Sequence, residues 1–286
     1  MADTTRFPDF MIIGAMKSAT STLHNQLSAQ SGIYMSRPKE PNFFSDDDIY
    51  KRGLGWYTGL FSDAKPGDIC GESSTHYTKL PDYPHTIERL KAAVPQPKLI
   101  YVMRHPIDRL VSHYMHQWSQ GVISCDINQA IDRYPELINY SCYGMQIAPY
   151  LEAFGPDAVL PLLFDDLRDN KDTTLERIGL FLGLKTPLRW VDSLGRDNVS
   201  AQRIRRFPGY QLLVNSKPMS WIRRNLVPQS IRDQVKRKLS MQQRPEISPD
   251  QYQKLTAIFD KDLQILGEWL GVELTCEIFR KGLKSN

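Results

Sequence analysis

The chain has 286 residues, of which 41% are hydrophobic and 24% charged, with a formal net charge of +4. That length allows one large α/β domain or two small ones with a substantial core, and the composition is that of an ordinary water-soluble globular protein. A spanning helix is excluded because no apolar run approaches the roughly 18 residues it needs, and so mild a charge suits a small anionic ligand better than duplex nucleic acid.

In chain order, Met1 to Arg6 carries no basic-then-apolar leader pattern, so a cytoplasmic protein is expected. Four apolar runs predict buried strands: Phe10–Ile13, the short Ile69–Gly71, Lys98–Met103 and Val159–Phe164. Helical spacing follows each. Leu23 and Leu27 mark a first helix, Ile87 and Leu90 another, and Leu110, Val111, Tyr114 and Trp118 share one face of a third. Pro106 suits the first turn of that third helix, where its missing N–H costs nothing. Strands alternating with helices predict a mainly parallel sheet covered on both faces. In such sheets ligands bind at the carboxyl ends of the strands.

No repeat, low-complexity segment or Gly/Ser linker divides the chain, so a single domain is expected, with an α/β core over 8–210 and a helical extension over 211–286 packed on it. Leu255, Ile258, Phe259, Leu263, Leu266, Trp269 and Leu270 predict a strong final helix stopped by Gly271. The basic segment 221–239 reads first as a solvated helix face and second as a membrane-surface contact. Cys70, Cys125, Cys142 and Cys276 are widely spaced without a C-x-x-C, which predicts reduced thiols. Aromatic residues at Tyr50, Trp56, Tyr57, Phe61, Tyr77 and Trp118 are read as core by default and as pocket lining otherwise.

The chemistry concentrates just after the strands. Gly14 breaks the first apolar run, and Lys17, Ser18, Ala19, Thr20, Ser21 and Thr22 follow before the helix. Strand, small-residue loop and helix start make an anion site: N–H groups point at the ligand, the dipole favours negative charge, and a lysine adds a full one. The loop lacks the Gly-Lys-Ser/Thr ending of a nucleotide-triphosphate loop. Arg104 ends the third apolar run, where a magnesium-binding carboxylate would stand in a phosphate-hydrolysing enzyme. A guanidinium there holds an anion directly and without metal. Ser112, eight residues on, adds a second donor about two helical turns into the next helix. Two cationic strand ends imply a ligand that is anionic in two places.

Gly14 to Leu23 resembles the 5′-phosphosulfate loop of PAPS-dependent sulfotransferases, and Arg104-His105-Pro106 through Arg109 and Ser112 resembles their 3′-phosphate motif. Lys39-Glu40-Pro41-Asn42-Phe43-Phe44, then Gly55-Trp56-Tyr57 and Phe61, is similar to the branch containing the heparan sulfate N- and O-sulfotransferases, as is Gly71-Glu72-Ser73-Ser74-Thr75-His76-Tyr77. Phe164-Asp165-Asp166-Leu167 and Phe181-Leu182-Gly183-Leu184 match downstream landmarks, so the resemblance covers roughly 8 to 210. It implies a three-layer P-loop-like fold. The implied activity is transfer of a sulfuryl group from PAPS, leaving PAP, to a hydroxyl or amine of a glycan, glycolipid or small alcohol or phenol, with no metal.

The resemblance places Lys17 at the departing oxygen and Glu40 as the base that takes the acceptor proton, with Lys39 keeping that carboxylate ionised or touching the sulfonate. His76 is a rival base, since a histidine with near-neutral pKa suits the task. Where some relatives carry a histidine or a lysine, this chain has Asn42 and Ser73. Tyr143 is read as a contact to the 3′-phosphate or adenine, or as a core aromatic. Arg203 and Arg205 are read as phosphate contacts of a late closing loop, in which relatives often carry Lys-Gly-Arg and this chain reads Arg203-Ile204-Arg205. Asp165 and Asp166 are read as helix-capping or loop-anchoring residues. Two other functions fit parts of the pattern: a P-loop kinase or NTPase, and a non-catalytic nucleotide- or RNA-binding module.

Overall fold

A computed structural model of the chain describes residues 6–194, 241 and 243–279. Among these, five parallel strands form one sheet: β1 (Phe10–Gly14), β2 (Ile33–Met35), β3 (Ile69–Ser73), β4 (Lys98–Met103) and β5 (Val159–Leu163), in the order β2-β3-β1-β4-β5. The helices are α1 (Thr20–Ser28), α2 (Asp47–Tyr50), α3 (Gly53–Gly59), α4 (Thr86–Ala93), α5 (Pro106–Gln120), α6 (Ile127–Arg133), α7 (Glu136–Asn139), α8 (Tyr143–Phe154), α9 (Phe164–Asp169), α10 (Lys171–Leu182) and α11 (Pro249–Leu270).

The period-two pattern of the strands decides where the core sits. Phe10 and Ile12 of β1, with Ile100 and Val102 of β4, turn to the face covered by Leu23 and Leu27 of α1 and by Leu175 and Ile178 of α10. Met11 and Ile13, with Leu99, Tyr101 and Met103, turn to the other face, under α5, α8, α11 and the aromatic cluster. The sheet is therefore covered on both sides, as its continuous apolar strands predict. No helix among the described residues is long and apolar enough to cross a membrane.

Four apolar runs became strands, with small corrections. Phe164 opens α9 instead of closing the preceding strand. Helix α1 starts at Thr20, three residues ahead of Leu23. Strand β2 went unread; Ile33 and Met35 are buried against β3, but three residues are too few to establish a period. Pro106 stands in the first turn of α5 as expected. Tyr57, Phe61 and Tyr77 are core residues, while Tyr50, Trp56 and Trp118 pack half-buried against that core. The four cysteines are free thiols. Asp165 and Asp166 lie in the first turn of α9, where Asp165 pairs with Arg168 at 2.9 Å and Asp166 receives Asn170 at 3.3 Å.

The final helix ends where Gly271 takes a left-handed cap at φ 66°. Its Leu255, Phe259, Leu263 and Leu266 are buried. Asp262 on the same helix accepts the N–H groups of Gly144 at 2.7 Å and Met145 at 2.8 Å, so α11 caps the start of α8. The C-terminal helix is in this way tied to the element that begins at Tyr143.

Candidate active site

Strands β1 and β4 are neighbours, with Gly14 opposite Tyr101. The chain leaves them towards opposite edges of the sheet, from β1 to β2 and from β4 to β5. Their carboxyl ends are thus a topological switch point, where an open α/β sheet leaves a crevice. After β1 the chain turns through Lys17 (φ 75°) and Ala19 (φ 64°), both left-handed, and enters α1. Such a conformation costs a non-glycine residue about 1–2 kcal/mol, so the fold over-determines this loop. Gly14 is required: a Cβ there would fall on the Thr78 hydroxyl and 2.7 Å from the Tyr101 ring.

The start of α1 has no side-chain cap and no acidic residue in its first turn. An end left uncapped and without negative charge suits an anion supplied from outside. Lys17, Ser18, Ala19, Thr20, Ser21 and Thr22 all lie in this one corner, Ser18 buried beside the Tyr143 hydroxyl. These residues fit a phosphosulfate group.

On the other side of the crevice, Arg104 follows β4 and lies over the Phe164 ring, 4.9 Å from its centroid. Tyr143 is fully buried and brackets the Arg104 main chain, its hydroxyl donating to the Arg104 carbonyl at 2.5 Å and accepting the Arg104 N–H at 3.2 Å. Tyr143 therefore holds Arg104 in place, an arrangement the sequence did not disclose. Burial depresses the Arg104 pKa, and Asp108 partly offsets it. Ser112 is buried on α5. Arg109 of the same motif is a strut: fully buried, it donates to Ser141 at 2.5 Å and to the Leu137 carbonyl at 2.7 Å.

Glu40 and His76 arrive from the β2 and β3 ends. The Glu40 N–H bonds the Ser73 carbonyl at 2.9 Å, which pins the β2 loop to β3, and Glu40 itself is left-handed at φ 59°. Lys39 Nζ lies 2.7 Å from one Glu40 oxygen, and Thr75 donates to the other at 3.3 Å. Burial alone would raise the Glu40 carboxyl, but the charge and hydrogen bond of Lys39, with the charge of Lys79, hold it below the usual value. His76 stacks on Tyr83 with ring centroids 4.7 Å apart, and its buried Nδ1 has no hydrogen-bond partner among the described residues. Burial first, and Lys79 second, lower it to about 4, so it is neutral at pH 7.

Lys17, Glu40, His76 and Arg104 thus follow the carboxyl ends of β1, β2, β3 and β4, which are adjacent in the sheet. Arg203 and Arg205, like segment 221–239, lie outside the described residues. Two residues were missed. Lys79 bears on Glu40 and is itself lowered to about 8, chiefly by burial. His24 of α1 bonds Ser73 Oγ at 2.9 Å. The signal for His24 was its place on the buried stripe with Leu23 and Leu27, where a polar residue requires a partner. Lys79 had none beyond following a strand end.

Comparison with known proteins bears on this geometry. A model of the sulfotransferase family matches residues 67–187, which include His76, Arg104, Ser112 and Tyr143. The human bifunctional heparan sulfate N-deacetylase/N-sulfotransferase 2 is 26% identical over 68% of this chain and 24% of its own length. The mouse heparan sulfate glucosamine 3-O-sulfotransferase 6 is 34% identical over 40% of this chain and 32% of its own length. The chain therefore spans about a quarter to a third of these relatives. A sulfotransferase from Alicyclobacillus acidocaldarius has the same fold, with a TM-score of 0.66 at 24% identity over 94% of this chain and 98% of that one. A mouse sulfotransferase complexed with PAP is similar at a TM-score of 0.50 and 15% identity, over 91% of this chain and 85% of that one.

The segment 67–187 is thus similar to the sulfotransferase family, and the fold is the one seen in a solved sulfotransferase. The chain's sequence relatives include heparan sulfate N- and 3-O-sulfotransferases.

Proposed function

We propose that this chain transfers the sulfuryl group of PAPS to a hydroxyl or amine, in a glycan or glycolipid acceptor, with Glu40 as the base. PAPS supplies an activated sulfuryl group and leaves as PAP. Lys17 and the N–H groups opening α1 hold the phosphosulfate end, and Arg104 with Ser112 holds the 3′-phosphate. Lys17 places positive charge where the departing oxygen becomes negative, a term of several kcal/mol in comparable sites.

The observation that carries the assignment of the base is the strained, left-handed Glu40, clamped to β3 and flanked by Lys39. Strain in a polar residue at a crevice is the mark of a functional position. A carboxylate held below its usual pKa stays ready to accept a proton at every pH near neutrality. Its side chain is 31% exposed, so an acceptor can reach it. The proton passes from the acceptor hydroxyl or amine to Glu40 as the acceptor atom forms its bond to sulfur. His76, neutral and stacked on Tyr83, lines the same corner.

Thermal shift with PAP, with ATP–Mg²⁺ and with a short RNA tests the donor. PAP at a hundred times its dissociation constant stabilises by about 2.7 kcal/mol, and metal-free stabilisation by micromolar PAP is expected. Stabilisation by ATP–Mg²⁺ or RNA alone would overturn the reading in favour of a kinase or a binding module. ³⁵S-labelled PAPS offered with glucosaminyl oligosaccharides, a glycolipid and a simple phenol identifies the acceptor class, with label expected in the sugar-bearing products.

A further inference from the structure

Glu72 is a fully buried carboxylate near the end of β3. Three hydroxyls face it. Tyr57 of α3 and Tyr77 of the turn after β3 donate to Oε1 at 2.9 and 2.8 Å, and Ser74 donates to Oε2 at 3.1 Å. Two of these hydroxyls have a second engagement. Ser74 Oγ accepts the Asn42 N–H at 3.0 Å, and the Tyr77 oxygen accepts the Phe44 N–H at 3.4 Å. Both N–H groups belong to the loop that carries Glu40, and Asn42 is left-handed at φ 53° like Glu40 itself.

The direction of these bonds follows from the charge on Glu72. An ionised carboxylate only accepts, so each hydroxyl turns its hydrogen towards it and leaves its lone pairs for the loop. A neutral group at position 72 would donate to one hydroxyl or lose one acceptor. One buried hydroxyl hydrogen would then have no acceptor, a costly state in a dry interior. We infer that Glu72 is a positioning residue: as a carboxylate it orients Ser74 and Tyr77 to receive the Asn42 and Phe44 N–H groups, and so fixes the left-handed turn presenting Glu40. The inference rests on the reading of Glu40 as the base.

Burial pushes the Glu72 carboxyl up to about 7, against the pull of the Tyr77, Tyr57 and Ser74 hydrogen bonds. The other groups of the corner titrate elsewhere: Glu40 below its usual range, His24 and His76 at about 4, and Lys79 at about 8. A loss of turnover on the acid side that disappears in Glu72→Gln is therefore assigned to Glu72. Stability moves the other way. With its folded pKa above the unfolded one, Glu72 binds a proton in the native state between about 4.5 and 7, so its ionisation costs stability as pH rises through that window.

The test measures kcat, KM for PAPS and amide hydrogen exchange in residues 40–46 for the wild type, Glu72→Gln and Ser74→Ala, using ³⁵S-labelled PAPS and a glucosaminyl oligosaccharide. Glu72→Gln is expected to lower kcat at pH 8 at least tenfold, to abolish the acidic limb near 7 and to leave KM for PAPS within twofold. Both variants should speed exchange in the loop. Should Glu72→Gln not fold, Ser74→Ala cuts the same link while leaving both tyrosine bonds in place. Wild-type kcat and wild-type loop exchange in the variants would overturn the inference. Absence of sulfuryl transfer by the wild type would sink the proposed activity instead, and the exchange data alone would then decide whether Glu72 positions the loop.

Discussion

At Glu40 the arrangement of charge decides the chemistry. Desolvation favours the protonated acid, while Lys39 at 2.7 Å, together with Lys79, favours the carboxylate and prevails. His76, neutral and stacked on Tyr83, is also in its basic form near neutrality, so the left-handed, clamped geometry of Glu40 rather than pKa separates the two. Glu40→Gln is therefore expected to lower kcat by about 10²–10⁴-fold, and His76→Ala by roughly tenfold or less, in initial-rate assays with labelled PAPS. Near-wild-type turnover in Glu40→Gln with an inactive His76→Ala would reverse the two roles. At the other strand end, Arg104→Ala removes a charge-assisted contact worth about 1.5–3 kcal/mol. PAP affinity measured by calorimetry should weaken by about one to two orders of magnitude, and an unchanged affinity would remove Arg104 from the site.

At the scale of elements, the β1 loop and the start of α1 form the unit that the sequence disclosed most completely. A strand, a glycine, a lysine and small hydroxyl residues are local features, and local features survive in a one-dimensional reading. Gly14 is the tightest point, because Thr78 and Tyr101 fill the space where a Cβ would go. Overpacking of this kind costs about 1–3 kcal/mol. Gly14→Ala should lower the melting temperature and weaken PAP binding together, and a variant as stable as the wild type would show that the neighbours can yield. The final helix was equally legible, from its apolar spacing to Gly271, because caps and periodicity are also local. Strand β2 was not, since its strand character comes from pairing with β3 rather than from its three residues.

At the scale of the whole molecule, the buried His24 and His113 and the half-buried His76 shape the response to acid. Burial lowers His24 and His76 to about 4 and His113 to about 2, from an ordinary 6.5. Each is neutral when folded and takes a proton on unfolding below pH 6.5, so stability falls as pH drops from about 6.5 towards 4. The loss is about 1.4 kcal/mol per pH unit for each histidine. Glu72 and Asp262, whose carboxyls burial raises, work in the opposite direction over part of that range. Melting curves from pH 7.5 to 4.5 should show a falling midpoint, and a midpoint that rises towards acid would contradict the burial of these rings.

The sequence by itself determined the parallel α/β architecture, the strand–loop–helix corner around Lys17 and the place of Arg104 at a strand end, because period, turn chemistry and residue type act over short stretches of chain. Only the tertiary structure decided what holds them. Tyr143 brackets Arg104 from 39 residues away, and Asp262 caps the helix on which Tyr143 stands. The Asn42 and Phe44 N–H groups of the Glu40 loop reach Ser74 and Tyr77, more than 30 residues on, whose hydroxyls donate to Glu72. These bonds join groups far apart in sequence, and their partners are chosen by which buried donors and acceptors the packed sheet brings within reach. Spacing along the chain carries no record of that choice.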